Sequence, residues 1–231
     1  MEKYEVFLRS NGGTDSGISA KMRTIKALYN DAISKGYAKK ENYPFDNYKI
    51  SKLKGCSYKR ALSLDNIKKI TEMDITKYPN LVDTKNYLLF SYYTRGMNFY
   101  DMMNLQWNNV KEDRIVYIRR KTKGNFTIKI LPPVRNILDY YKAQNRKTKY
   151  VFPILLKEGL TPVQIEYRKD KTLKKYNKDL KLIAEACEIT EIITSYIARH
   201  SFATYLKKRS LYRCNFRSFR TSKFSYYPSL S

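Results

Sequence analysis

Hydrophobic positions recur at helical spacing along most of this chain. In SAKMRTIKALYNDAISKG, Met22, Ile25, Leu28, Tyr29, Ala32 and Ile33 fall on one face. This predicts an amphipathic helix with Ser19 as N-cap and Gly36 as stop. From Tyr37 to Ala61 the pattern lapses into lysines broken by Pro44 and Gly55, which reads as a long basic connection ending at a boundary near Lys59. Helices are then expected after Ser63 in LSLDNIKKITEMD and in DTKNYLLFSYYT, the second with Asp83 as cap. In TRGMNFYDMMNLQW the helical pattern breaks at Gly96 and restarts behind an Asn98 cap, with Asp101 in the first turn, where a carboxylate suits the helix dipole. Arg95 therefore lies at a helix end.

The period changes to two in RIVYIRRKTKGNFTIKI. Ile115 and Tyr117 share a face, as do Phe126, Ile128 and Ile130 beyond a turn at Lys123, Gly124 and Asn125, which predicts a β-hairpin. Prolines open a helix in PPVRNILDYY, and Leu173, Tyr176, Leu180, Ile183 and Ala184 mark another from Lys171 to Cys187. The fold class expected is mainly α with one small β-sheet.

Composition narrows the partner. The 231 residues are 42% hydrophobic, enough for a sizeable core, and 46 Lys and Arg against 21 Asp and Glu give a formal net charge of +25. A polyanion is the natural complement, since each Lys or Arg that displaces a phosphate counterion adds to affinity. The 22 Tyr and 10 Phe serve a core as readily as base stacking. No apolar run approaches the roughly 20 residues of a membrane helix and the start is too polar for a signal peptide, so the expected location is cytoplasmic. Cys56, Cys187 and Cys214 are scattered and His200 is the single histidine, which leaves no zinc spacing, and neither a metal nor another cofactor is expected.

Three cations stand in suggestive places: Arg95 at a helix junction, Lys121 on the hairpin, and Arg199 in YIARHSFAT. Taken in order, YTRGMNFYDMMNLQW, a hairpin bearing KT, and TSYIARHSFAT resemble the tyrosine recombinases, the lambda-type phage integrase family. The nearest likeness is to integrases of Bacteroidetes mobile elements. RTIKALYNDA and KRALSLDNIKKI resemble the end of that family's helical core-binding domain and the entry to its catalytic domain. The resemblance implies a partial core-binding domain with linker over 1–58, an incomplete catalytic domain over 59–209, and a basic, aromatic tail over 210–231.

It also implies a chemistry. A tyrosine attacks the scissile phosphate of double-stranded DNA, leaving a 3′-phosphotyrosine and a 5′-hydroxyl, with no metal or cofactor. Arg95 and Arg199 would bind the nonbridging oxygens, where charge grows in the transition state. Lys121 would protonate the departing 5′-oxygen, with Lys123 as local alternative. Tyr196 stands where most of the family has histidine; it can donate to phosphate but cannot act as a base at neutral pH. His200 is expected to be structural. Members work as homo-oligomers on DNA, here placed at the nucleoid.

The family continues with LGH and then its nucleophilic tyrosine. The stretch from Ser210 contains neither LGH nor any further histidine. Codons can be chosen for which its +1 reading spells LGH followed by a tyrosine, so a frameshift near Ser210 is expected to have replaced the nucleophile segment. Tyr226 and Tyr227 are the in-frame alternatives. The competing functions are a non-catalytic DNA-binding protein that occupies recombination sites and a general RNA-binding protein.

Overall fold

The structure is a computed structural model that describes residues 1–53 and 61–216, with side chains placed up to Lys208. It divides into two compact units, Met1–Tyr58 and Lys59–Ser231.

In the first unit, α1 (Glu2–Ser10) and α2 (Asp15–Ser34) enclose a small core of Leu8, Ile18 and Met22. The cap of α2 is Thr14, whose hydroxyl accepts the Gly17 N–H at 3.3 Å. The expected cap, Ser19, lies inside the helix and accepts a bond from Arg23 Nη2 at 2.8 Å. Leu28, assigned to the apolar face, is 65% exposed. The stretch read as a connection is largely part of this unit. Its basic composition hides three apolar anchors, Phe45, Tyr48 and Leu53, which are buried against α1 and α2 around two short 3-10 turns. Buried Glu5 accepts the Tyr48 hydroxyl at 2.5 Å and pairs with Lys52 and Arg9. These donors, Tyr48 first, hold its carboxyl at about 2, while burial, reinforced by the bond to Glu5, pushes Tyr48 up to about 12.

The second unit is helical apart from one hairpin. It contains α3 (Leu64–Glu72), capped by Ser63 as expected, α4 (Val82–Tyr93) and α5 (Phe99–Met103). β1 (Arg114–Ile118) and β2 (Asn125–Lys129) follow, then α6 (Pro132–Ala143), α7 (Pro162–Ala186) and α8 (Ile197–Phe216). Asp83 is not a cap: a 3-10 turn at Pro79–Leu81 leads into α4, and its carboxylate accepts the Tyr141 hydroxyl at 2.7 Å.

β1 and β2 are antiparallel with Ile115 opposite Ile128 and Tyr117 opposite Phe126, so the alternation seen in sequence is the pairing register. The Tyr117 and Phe126 rings stack at 5.6 Å. Asn125 belongs to the strand, and the turn comprises residues 119–124. α7 starts well before Lys171 because Thr161 and Gln164 form a reciprocal capping box around Pro162. α8 carries on to Phe216, beyond the point where hydrophobic periodicity fades. Tyr87, Phe90, Tyr141 and Phe152 meet edge to face at the centre of the core, with α4 packed among α6, α7 and α8.

Candidate functional site: a cationic cleft in the second unit

The end of α4 is shaped by backbone geometry. After the last ordinary helical bond, from Thr94 N–H to Phe90 C=O at 2.9 Å, Gly96 N–H donates to Ser91 C=O at 2.8 Å, the 6→1 bond of a Schellman cap. The residue in the left-handed position of that cap is Arg95, at φ 60°, where glycine is usual. Its side chain is exposed. Gly96 follows at φ 74°, and a Cβ there would lie 2.9 Å from Arg199 Cα. The two arginines thus stand one residue apart across this contact, because Gly96 lets the turn rest on the first turn of α8.

α5 begins at once. Asn98 Oδ1 accepts the Asp101 N–H at 2.8 Å, and its amide donates back to Asp101 Oδ2 at 2.6 Å. Asp101 is buried, and its Oδ1 accepts the backbone N–H of Arg120 at 3.1 Å. Arg119 Nε lies 3.8 Å from Oδ2. One carboxylate therefore ties α5 to the hairpin turn. Within the turn Arg119 N–H donates to Gly124 C=O and Lys123 N–H to Arg119 C=O, with Lys123 at φ 55°. Lys121 and Lys123 project, exposed, from this anchored turn.

These elements surround a cleft of about 610 Å³. Lys121, Lys123, Tyr196 and Arg199 all line it, together with Arg119, Arg120 and Lys169 of α7. Among the described residues its only carboxylate is Asp101, already engaged by Asn98 and the hairpin. Arg199 is half-buried, whereas Tyr196, just before α8, is 53% exposed. Arg95 is not on the wall but next to it, through Gly96. His200 is half-buried and outside the cleft lining, its ring 5.8 Å from that of Tyr196. Tyr226 and Tyr227 lie outside the described residues. No group of three or more His, Cys, Asp or Glu among the described residues could hold a metal ion.

Sequence reasoning saw Asp101 as a dipole partner and overlooked its tie to the hairpin. It also passed over Arg119, Arg120 and Lys169. The density of cations in RRKTKG was a usable signal for the first two; nothing local marked Lys169.

Comparison with known proteins decides the family. The model described as "Phage integrase family" matches residues 60–211, and one described as "Phage integrase SAM-like domain" matches residues 1–50. The chain belongs to the phage integrase family. Its fold is similar to that of a lambda integrase fragment dimer bound to a COC′ core site, at 11% identity, with 94% of this chain and 78% of that one covered and a TM-score of 0.62. It is also similar to the Tn1549 transposon integrase in complex with circular intermediate DNA, at 14% identity, 96% and 80% coverage and a TM-score of 0.53. A lambda integrase tetramer bound to a Holliday junction gives 10% identity, 96% and 63% coverage and a TM-score of 0.60. No curated protein matches the chain. Among the described residues of this integrase-family chain, no helix is long and apolar enough to cross a membrane.

Proposed function

We propose that this integrase-family chain binds duplex DNA and seats a backbone phosphate in the cleft between the hairpin turn and α8. The observation that carries the reading is the convergence of Arg119, Arg120, Lys121, Lys123 and Arg199, beside a Lys169 that pairs with Glu166 and Asp170, on one concave wall whose single carboxylate among the described residues is spent internally. In the tyrosine-recombinase reaction, Arg95 and Arg199 would hold the nonbridging oxygens from adjoining turns, where their donors match charge developing on phosphorus substituents. Lys121, on a projecting turn with a fixed base, can reach the leaving 5′-oxygen and donate its proton. Tyr196, also on the cleft lining, supplies a phenolic donor. The 1–58 unit serves as core-binding domain and 59–209 as catalytic domain. Nucleoid DNA is the partner.

Strand cleavage is a separate matter. The sequence from Ser210 to Ser231 supplies no LGH motif, and we read it as the product of a frameshift in an integrase akin to those of Bacteroidetes mobile elements, leaving the chain defective in cleavage. A chain whose family-position nucleophile has been replaced in this way forms no covalent intermediate, and the later steps stop.

Two assays test this. Arg95→Ala and Arg199→Ala should weaken duplex binding more than Lys142→Ala on α6; equal effects would leave only general polyanion binding. On a nicked suicide substrate, binding without a covalent adduct is expected. An adduct mapped to Tyr226 or Tyr227 overturns the cleavage defect.

A further inference from the structure

We infer that Ser201 is a positioning residue for Arg199, acting through the chain segment that enters the second unit; this rests on the reading of Arg199 as a phosphate contact. Ser201 is 3% exposed and sits two residues beyond Arg199 on α8. Its hydroxyl has both roles filled. It donates to Ile197 C=O at 2.8 Å and accepts the backbone N–H of Leu62 at 2.8 Å. Leu62 is itself buried, so this acceptor spares its N–H the cost of going unpaired away from water. A side-chain hydroxyl has taken the place of secondary structure at the point where the chain enters this unit.

A second tie lies a few residues along. Asn66, in the first turn of α3, donates its amide to both carboxylate oxygens of Glu191, at 3.0 and 3.1 Å. Residues 62–66 therefore grip the 191–201 segment at both ends, and Arg199 lies inside the grip. On its other flank α8 meets Gly96 at Arg199 Cα. Ile197 and Ala198 are sunk in the core, so a gap opened at Ser201 is closed by movement of packed atoms and not by solvent. The Ser201–Leu62 bond thus sets where that turn sits, and with it the guanidinium. Its loss leaves Arg199 chemically intact but displaced from the cleft wall.

The test is a double-mutant cycle on the whole chain, reading the salt dependence of binding to a short fluorescent duplex of arbitrary sequence. Arg199→Ala should flatten the slope of log K against log salt by about 0.9, the loss of one phosphate contact. Ser201→Ala should flatten it by a similar amount, Ser201→Thr should restore it, and Ser201→Ala added to Arg199→Ala should change nothing more. A further flattening in the Arg199→Ala background overturns the inference, since the hydroxyl would then act on the fold at large. An unchanged slope in Ser201→Ala beside a flattened one in Arg199→Ala overturns it while sparing the proposed function. If Arg199→Ala has no effect, both fall. Should Ser201→Ala fail to fold, Ser201→Thr still decides: it keeps the hydroxyl, and a flattened slope in a folded Thr variant overturns the inference.

Discussion

Gly96→Ala probes the contact that brings the two arginines together. The new methyl carbon would lie 2.9 Å from Arg199 Cα, 3.0 Å from its Cβ and 3.2 Å from its Cγ. Carbon pairs are comfortable at about 3.5–4.0 Å, and neither Cα nor Cβ can rotate aside, so α8 or the Arg95 turn must move. Overpacking of this kind costs about 1–3 kcal/mol. The left-handed backbone, φ 74°, adds about 1–2 kcal/mol for any residue with a Cβ. Gly159→Ala is the internal control, because Gly159 has φ 70° but nothing within 4 Å of its Cβ position. The difference between the variants isolates the clash, and at about 2–4 °C per kcal/mol for a chain of this size Gly96→Ala should melt several degrees below Gly159→Ala. Salt-dependent DNA binding, measured in parallel, should weaken only in Gly96→Ala. Equal melting of the two variants would refute the packing argument, and a melting difference with unchanged DNA binding would refute its link to Arg199.

Three further outcomes follow from the same contacts. Asp101→Ala removes the acceptor of the Arg120 N–H and frees the hairpin turn; hydrogen exchange at Arg120 should accelerate, and DNA binding should weaken although no cation has been removed. Glu5 has a folded pKa of about 2 against an ordinary 4.5, so its contribution to the first unit is complete above pH 4.5 and drains away as pH falls toward 2; Glu5→Gln should flatten the urea midpoint across that acid window. The Tyr176 hydroxyl is buried with no hydrogen-bond partner among the described residues, so Tyr176→Phe should raise stability by about 1 kcal/mol in chemical denaturation; a loss would reveal a partner for the hydroxyl.

How far each feature could be read from sequence depended on the range of the interaction behind it. The break at Gly96, the Asn98 cap and the period-two alternation of the hairpin are written in neighbouring residues, and all three stand in the structure. Lys121, Lys123, Tyr196 and Arg199 line one cleft, while Arg95 stands beside it through Gly96. The burial of Phe45, Tyr48 and Leu53 escaped notice because no period links them; each is fixed by a partner on α1 or α2. Asp101 and Ser201 were missed for the same reason, since their decisive partners, Arg120 and Leu62, are distant in sequence and are backbone amides, which every residue but proline possesses.

That last point bears on how this hairpin can evolve. Asp101 holds the turn by a main-chain group, so the anchorage is blind to side-chain identity at position 120. Selection can change the side chain at 120 without loosening the joint that aims the turn. Proline at 120 is the one residue without the N–H needed to sustain that joint, which makes the turn a tolerant site for library design with a single forbidden letter.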